Sequence, residues 1–276
     1  MVKHGNVHLS TQVAADLVWE CSASRFKDEG SNAAANVAGN SSIRAFRGIA
    51  IVFGASTGET MPTLFICGDP HGQFDGIVAA ARAVRPAAVL LLGDMESARP
   101  LHEELSGFPH ETTLLWIPGN HDTEDCRSYD NLFGSELADG NIHGRIVTVA
   151  GLRIAGLGGV FRSKVWDGKS LSRFLAPADY LKVCGKGNRW RQGLPMRHRS
   201  SLFPSDFQTF AGLTADVLIT HEAPDLHEYG FNPITMLAQN LQVTAAFHGH
   251  HHQDIAYPGG VWHGVAMRQI VLYEWD

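Results

Sequence analysis

Cysteine is scarce in this 276-residue sequence, which contains four of them. They are Cys21, Cys67, Cys126 and Cys184, and no two of them form a CxxC pair. Small secreted domains that depend on disulfides, and structural zinc sites of the cysteine type, use closely spaced cysteines. The sequence therefore argues against both and predicts a protein of a reducing compartment, which we expect to be cytoplasmic.

Long hydrophobic runs and an excess of positive charge are also lacking. No stretch approaches the roughly 18 apolar residues of a transmembrane helix. The nearest apolar run, residues 48–55, is preceded by more than forty residues, so we interpret it as a buried strand in preference to a secretion signal. The formal net charge is −6. The charge of the whole chain therefore does not indicate binding to nucleic acid or to a membrane surface.

The first 60 residues contain little apolar material. Residues 31–42 consist of Ser, Asn, Ala, Gly and one Val, a composition that has little to bury. Residues 12–20 could form a helical turn or two, because Val13, Leu17 and Val18 are spaced for one helical face. We predict that residues 1–60 are a largely disordered N-terminal extension and that the folded domain comprises residues 61–276.

A rhythm of strand, loop and helix begins at Met61. Periodicity and turn residues predict helices at 74–84 and 102–105 and a hairpin at 145–157. The predicted strands outside the hairpin are 62–67, 88–92, 113–117, 215–220, 242–247, 254–258, 260–266 and 267–274. The last three are expected to be antiparallel around Gly259 and Gly260. These elements favour a mixed α/β domain with two stacked sheets and helices outside.

Histidine is abundant, with 15 residues in the chain and four of them within residues 248–252. Imidazole is a poor core group unless its nitrogens have partners, so packing does not explain such a run. Polar residues also follow the predicted strands upstream, at the strand ends where open α/β sheets bind their ligands. The candidate metal ligands are Asp69, His71, Asp94, Asn120, His221, His250 and His252.

Seven ligands of this kind, with one carboxylate shared, can give four protein ligands to each of two cations and leave positions for water and substrate. A metal pair about 3.5–4 Å apart can activate a nucleophile and stabilise an in-line displacement at phosphorus. Imidazole and carboxylate ligands without thiolate suit Mn, Fe, Zn, Co or Ni better than Ca. The set is typical of a hydrolytic centre, and we expect two divalent metal ions.

The order of the motifs resembles that of the calcineurin-like metallophosphoesterase superfamily. The motifs are D-x-H at Asp69, GD at Asp94, GNHD at 119–122, an isolated histidine at 221 and GHxH at 249–252, and they cover nearly all of residues 61–276. The resemblance implies a four-layer αββα sandwich and a hydrolase with a dinuclear metal centre, Mn favoured. Such an enzyme cleaves phosphomonoesters or phosphodiesters with metal-bound hydroxide as the nucleophile. The resemblance also assigns Asp69, His71 and His252 to one metal, Asn120, His221 and His250 to the other, and Asp94 as the bridge.

His121 and Asp122 are the candidate catalytic residues. By resemblance, His121 lies near the metals without binding them, helps to stabilise the transferring phosphoryl group and protonates the leaving oxygen. Asp122 follows it directly and could orient the imidazole and raise its basicity.

The sequence departs from the Ser/Thr protein phosphatases of this superfamily. Their GDxxDRG motif places Asp-Arg-Gly two residues after the GD pair, and residues 93–99, GDMESAR, lack this DRG. A phosphoprotein phosphatase is therefore a less favoured alternative, and a nuclease and a non-catalytic scaffold are further alternatives. The intact ligand set and His121 favour a catalyst over a scaffold.

A basic insert at about 160–206 interrupts the predicted domain. Residues 160–200 hold ten Lys and Arg residues and two acidic residues, together with several aromatic residues that indicate a folded cap. We predict that Arg162, Arg189 and Arg191 bind the anionic substrate, since guanidinium groups chelate phosphate. The expected partner is a small phosphorylated substrate, with nucleic acid possible, and no membrane is expected.

Overall fold

The computed structural model describes residues 62–275 and, further upstream, the backbone of two strands, β1 (Ile43–Phe46) and β2 (Ile49–Val52). These two strands pair with each other in antiparallel fashion, and β2 falls within the apolar run that we interpreted as a strand. The predicted helical turns at 12–20, and the rest of the proposed N-terminal extension, lie outside the described residues. The domain boundary at Met61 stays a prediction.

Ten further strands alternate with helices along the described chain. The strands are β3 (Thr63–Cys67), β4 (Ala88–Leu91), β5 (Thr113–Trp116), β6 (Arg145–Val149), β7 (Leu152–Leu157), β8 (Val217–Thr220), β9 (Ala245–His248), β10 (Ile255–Ala256), β11 (Trp262–Gly264) and β12 (Ile270–Glu274). The helices are α1 (Asp75–Val84), α2 (Leu101–Glu104), α3 (Cys126–Phe133), α4 (Pro177–Val183), α5 (Pro204–Gln208) and α6 (Asn232–Leu241).

The strands form two mixed sheets. The four-stranded sheet has the order β12-β3-β4-β5, with β12 antiparallel to β3 and the other pairs parallel. The six-stranded sheet has the order β10-β11-β9-β8-β7-β6, parallel from β11 to β7 and closed at each edge by an antiparallel strand. Parallel strands covered on both faces read as continuous apolar runs, which is why β3 and β4 were recognisable in the sequence.

The pairing of the last three strands differs in part from the prediction. β10 and β11 are antiparallel and turn at Gly259 and Gly260, as expected. However, β11 is parallel to β9, and β12 crosses to the other sheet, where it pairs with β3. The side chain of Tyr273 on β12 is thereby buried between the sheets, a position that local alternation does not reveal.

The two sheets stack face to face with helices outside. Leu64 and Leu90 of the four-stranded sheet and Ile219 and Phe247 of the six-stranded sheet belong to one buried cluster, which fills the space between the sheets. The outer face of the four-stranded sheet packs on α1 and α3, and that of the six-stranded sheet packs on α6. The predicted αββα sandwich of two mixed sheets flanked by helices is confirmed.

The insert between β7 and β8 is folded and has its own small core. Val165, Phe174 and Phe203 are buried together, with Trp166 and Tyr180 partly buried against them. Burial of these apolar side chains away from the main core stabilises the insert as a separate layer. Among residues 62–275, no helix has the length and the apolar character that crossing a membrane requires.

Candidate metal centre

Both sheets deliver polar side chains to one site, beyond the carboxyl ends of their parallel strands. β3, β4 and β5 lead into Asp69, Asp94 and Asn120, while β8 and β9 lead into His221 and the run 249–252. Within the described part of the chain, two groups have ligand atoms within 4.8 Å of one another. One group is Asp69, His71 and His252, and the other is Asp94, His221 and His250.

The first group brings nitrogen and oxygen atoms unusually close together. Nε2 of His71 lies 3.1 Å from Nε2 of His252, which in turn lies 3.4 Å from Oδ2 of Asp69. Asp69 is fully buried, and burial raises the pKa of its carboxyl above the ordinary value, although nearby imidazoles oppose the shift. Its Oδ2 accepts the amide N–H of His250, whereas Oδ1 has no hydrogen-bond partner among the described residues.

The second group is assembled around His221. This imidazole is fully buried, and its Nδ1 lies 2.8 Å from the carbonyl oxygen of Leu92, so that Nε2 faces Oδ2 of Asp94 at 3.5 Å. Oδ1 of Asn120 lies 3.3 Å from the same Nε2, which adds the amide to this group. Nδ1 of His221 is 3.7 Å from Oδ1 of Asp69, and this distance connects the two groups.

The carboxylates around His221 favour a positive charge in the second group, as the pKa shifts of its members indicate. Burial opposes a charge on His221, yet Asp94 and Asp69 raise its pKa to about 10. Burial by itself would raise the pKa of Asp94, but His221 and the amide of His121 hold it well below the ordinary range. Burial and the charge of His221 lower the pKa of His250 to about 3.

Four ligands adopt a backbone conformation that side chains other than glycine rarely accept. The φ angles are 42° for His71, 50° for Asp94, 68° for His250 and 57° for His252. Residues in this left-handed region cost free energy and persist where the surrounding structure holds them, often at functional sites. The strain therefore lies where the side chains converge on the site.

Two glycines allow the backbone to approach the carboxylates. A Cβ at Gly119 would overlap Oδ1 of Asp94, and a Cβ at Gly249 would overlap Oδ1 of Asp69. Both positions belong to the predicted motifs, in which any larger residue would displace a ligand.

The residues present fit divalent cations. The site combines three buried or partly buried carboxylate and amide groups with four imidazoles and includes no thiolate. Oδ1 of Asp69 is a buried oxygen without a hydrogen bond, which is costly unless a positive ligand satisfies it. All seven predicted ligands thus lie around one site, with Asn120 beside the group of Asp94, His221 and His250.

His121 lies at the edge of this site and is partly exposed. Its Nε2 is 3.9 Å from Oδ2 of Asp94, and its backbone N–H donates to Oδ1 of Asp94 at 2.9 Å. Nδ1 lies 3.1 Å from Oε2 of Glu124 and 3.4 Å from Oε1 of Glu96. Burial works against a charge on His121, but Asp94, Glu124 and Glu96 together raise its pKa above the ordinary value. A protonated imidazole beside the ligands is suited to donate a proton.

Asp122 has a different position from the one we predicted for it. Its carboxylate is buried and accepts the backbone N–H groups of Met95 and Gly119, each at 2.8 Å. It therefore ties the loop that carries Asp94 to the loop that carries Asn120. Burial raises its pKa to about 6. The carboxylates beside the His121 ring are those of Glu124 and Glu96, in place of Asp122, because the turn after Asn120 directs the side chain of Asp122 to the backbone amides.

Glu96 and Glu124 were not among the candidate residues, although the sequence contains a signal for each. Glu124 follows His121 by three residues, the spacing that brings side chains together on one face of the helical turn 121–123. Glu96 follows Asp94 by two residues, and its Oε2 also lies 3.3 Å from Nδ1 of His71. Glu96 thus places a carboxylate after the GD pair, one position earlier than the second Asp of GDxxDRG.

We expect replacement of Glu124 by Ala to lower kcat about tenfold, with a much smaller change in KM, because the imidazole of His121 loses an oriented partner. Glu124→Gln keeps a hydrogen-bonding side chain and should recover part of the loss. Steady-state kinetics at saturating metal measure both constants. Glu103, exposed on α2, offers the control Glu103→Gln. Equal kcat in Glu124→Ala and the unmodified protein would exclude an orienting role.

The three predicted substrate-binding arginines have different environments. Arg191 forms a two-point ion pair with Asp130, at 2.6 and 2.7 Å, and Arg189 donates to the carbonyl oxygens of Leu181 and Cys184. Arg189 thus connects parts of the insert with each other, and Arg191 attaches the insert to α3. Of the three, Arg162 is the one near the candidate metal centre.

Arg162 and Arg197 place positive charge of the insert beside the candidate metal centre. Nη1 of Arg162 lies 3.2 Å from Oγ of Ser200, and the charges of Asp94 and Glu124 act on its guanidinium. Arg197, which was not predicted, lies 3.4 Å from Oε1 of Glu124. Burial, and then the charge of Arg197, lower the pKa of Arg162. Two guanidinium groups close enough to repel each other would be stabilised by an anion between them.

Residues 62–254 match the family described as calcineurin-like phosphoesterase. The match spans most of the chain, and the chain therefore belongs to this family and is a metallophosphoesterase. Family membership supports metal-dependent hydrolysis of phosphoric esters, and it confirms the resemblance that the motifs indicated.

A relative from Haemophilus influenzae is 39% identical to this chain over 194 residues. The similarity covers 70% of this chain and 85% of the relative, which is described as an uncharacterized protein. The similarity thus covers most of the length of the relative, whose description names no substrate.

Proposed function

We propose that this protein hydrolyses phosphomonoesters or phosphodiesters at a centre of two divalent metal ions, with Mn favoured. The observation that carries the proposal is the arrangement of two ligand groups, joined by the 3.7 Å distance between His221 and Asp69, with His121 beside them. Asp69, His71 and His252 would hold one ion. Asn120, His221 and His250 would hold the other, with Asp94 shared between them.

When bound, such ions polarise a phosphoryl oxygen and make a water molecule a stronger nucleophile. The chain supports this chemistry by burying Asp69, Asp94 and His221 and by holding them in place. His221 is fully buried, and the hydrogen bond to Leu92 fixes which of its nitrogens faces the site. Asp122 contributes indirectly, because it holds two ligand loops together.

His121 is proposed to protonate the leaving oxygen. It is 38% exposed, so that substrate can reach it, and its Nε2 points toward Asp94. Against the effect of burial, Asp94 and then the carboxylates on its Nδ1 side raise the pKa of His121 and favour the protonated form. General acid catalysis of this kind contributes about 10²- to 10⁴-fold to the rate.

Arg162 and Arg197 are proposed to bind the phosphate of the substrate from the side of the insert. Arg162 is partly buried and touches Ser200, while Arg197 is exposed and reaches Glu124. Both are therefore close to His121 and can pair with phosphoryl oxygens that face away from the metals. Because Arg189 and Arg191 are engaged within the insert and with α3, we favour a small phosphorylated substrate over a nucleic-acid backbone.

Metal analysis followed by a substrate panel tests this function. Protein purified without chelator should contain up to two divalent ions per chain and hydrolyse p-nitrophenyl phosphate or bis(p-nitrophenyl) phosphate. Chelation should abolish the activity, and Mn²⁺ should restore it. Single-stranded DNA and a phosphoserine peptide belong in the panel, since turnover of either in preference to small esters would favour the nuclease or the protein phosphatase. Metal-loaded protein that hydrolyses none of these substrates would contradict the proposal.

A further inference from the structure

The insert contains a cavity of about 790 Å³ that has no role in the chemistry proposed above. Small-molecule sites in proteins commonly have volumes of about 300–1,000 Å³. The walls of the cavity in the insert include the aromatic side chains of Trp166, Phe174 and Tyr180 and the cationic side chains of Lys164 and Arg173. The cavity therefore has the size and the mixed lining of a ligand site.

The aromatic wall is packed in advance of any ligand. Phe174 is buried in the small core of the insert with Val165 and Phe203. The ring of Tyr180 meets that of Phe174 edge to face, with centroids 5.1 Å apart. A flat ring that entered the cavity would meet rings already in place, and little side-chain entropy would be lost on binding.

Apolar side chains at the cavity are left uncovered. Leu171 is fully exposed and Val183 is 60% exposed, and both contribute to the lining. Water contact with these groups is unfavourable, and a ligand with an apolar face would remove part of it. This lining favours an organic ligand over a bare inorganic anion.

The charge of the lining favours an anion. Lys164 and Arg173 are exposed and positive. Asp167 is the acidic residue of the lining, and its carboxylate already accepts the N–H groups of Lys169 and Ser170 and the hydroxyl of Ser170. An acidic group on the ligand would therefore meet cations and little competing negative charge.

One turn of the insert connects the cavity with the candidate metal centre. In the short helix Met196–Ser200, His198 lines the cavity, and its ring lies 5.0 Å from that of Tyr180. Arg197 in the same turn reaches Glu124, the carboxylate beside the proposed acid. This turn therefore lies between the cavity and the proposed acid, with His198 facing the first and Arg197 the second.

The same turn also contacts the segment that carries His121. Oγ of Ser200 lies 2.6 Å from Oγ1 of Thr123, two residues after His121, and 3.2 Å from Nη1 of Arg162. Burial, followed by the charges of Arg162, Lys164 and Arg197, lowers the pKa of His198. The positive potential of the cavity and that of the metal-side arginines thus overlap at this turn.

We propose that the cavity binds the leaving group of the substrate, and that this group is a flat ring system bearing a second acidic group, as in a nucleotide. The proposal rests on the proposed phosphoester hydrolase function and narrows its substrate class. Tyr180 and Trp166 provide surfaces for the ring, and Lys164 and Arg173 pair with the second anion. The scissile phosphate lies between the metal ligands and Arg162.

The double variant Lys164→Ala, Arg173→Ala in the full chain tests the proposal. Adenosine 3′,5′-bisphosphate carries a second phosphate, and p-nitrophenyl phosphate does not. We expect the ratio of the KM for the bisphosphate to the KM for p-nitrophenyl phosphate to rise about 10- to 100-fold in the variant, because charge-assisted hydrogen bonds to the second phosphate are lost. Lys186→Ala removes an exposed cation of the insert that does not line the cavity, and it should leave the ratio unchanged.

Equilibrium dialysis of the bisphosphate with metal-stripped protein provides a readout that does not depend on turnover. The dissociation constant should be at least about tenfold higher for the double variant than for the unmodified protein or Lys186→Ala. An unchanged KM ratio together with equal binding would overturn the cavity assignment, even if p-nitrophenyl phosphate is still hydrolysed. If the metal-loaded protein hydrolyses neither of these monoesters nor bis(p-nitrophenyl) phosphate while the binding difference persists, the proposed hydrolase function fails, the leaving-group assignment fails with it, and the cavity remains a binding site for the bisphosphate.

Discussion

His121→Asn is expected to lower kcat by about 10²- to 10⁴-fold while leaving the metal content unchanged. The imidazole lies 3.9 Å from Asp94 and carries carboxylates on its Nδ1 side, so it is placed to deliver a proton, yet it belongs to neither ligand group. Asn keeps the backbone N–H that donates to Asp94 but has no proton to transfer at neutral pH. Turnover of p-nitrophenyl phosphate and elemental analysis of the same preparation measure the two quantities.

The loss in kcat caused by His121→Asn should depend on the leaving group of the substrate. A leaving group of low pKa, such as p-nitrophenolate, needs less help from an acid than an alkoxide does, so the loss in kcat should be larger for an alkyl phosphate. His110 is exposed and lies outside the site, and His110→Asn is the matched control. Unchanged turnover of both esters by His121→Asn would remove His121 from the mechanism. A loss of bound metal would instead indicate a role in metal binding.

The candidate ligands could be expected to meet because each ligand motif begins within a few residues of the end of a strand that was recognisable by its apolar run. Strand β4, for example, is buried throughout and ends three residues before Asp94. Parallel strands place their carboxyl ends at a common edge, so residues far apart in the chain could be expected to meet. The division of the ligands between two metals was implied by the resemblance, and it stays a prediction.

The partners of His121 could not be predicted in the same way. Asp122 is its neighbour in the chain, but adjacent residues of a helical turn point in different directions, and residue i+3 lies on the same side. Glu124 therefore reaches the imidazole, and Asp122 reaches the amides of Met95 and Gly119. The direction of a loop side chain depends on backbone angles that hydrophobic periodicity does not encode.

Helix α6 and the partners of the arginines in the insert are two further features that the sequence did not predict. α6 was not among the predicted helices, although Ile234, Leu237, Ala238 and Leu241 have helical spacing and are buried. Its short apolar stripe is interrupted by polar residues and begins with Asn-Pro, which reads as a turn. In the insert, the sequence showed ten cations without their partners, and Arg191 proved to pair with Asp130, a residue of another element.

Asp94→Asn is expected to remove both turnover and bound metal. The carboxylate is buried, its Oδ2 lies 3.5 Å from Nε2 of His221, and its Oδ1 accepts the amide N–H of His121. His221 and this amide hold its pKa well below the ordinary range against the effect of burial, so the group is a carboxylate at neutral pH. Asn has nearly the same shape but no charge, and it cannot be shared between two cations as a carboxylate can.

The expected loss in kcat is at least about 10³-fold, because metal ions contribute several kcal/mol of transition-state stabilisation and each 1.36 kcal/mol corresponds to a factor of ten. Elemental analysis should show fewer than two ions per chain. Asp206→Asn is a matched control, since Asp206 is a partly buried carboxylate that accepts the backbone N–H of Phe203 in the insert. It should retain both metal and turnover.

The comparison of Asp94→Asn with His121→Asn separates metal binding from proton transfer. The two side chains lie 3.9 Å apart, so a general distortion of the site would affect metal content in both variants. If His121 acts as an acid, its variant keeps the ions and loses turnover, whereas the Asp94 variant loses both. Full metal content in Asp94→Asn would show that the remaining six ligands suffice and that Asp94 is not shared between the ions.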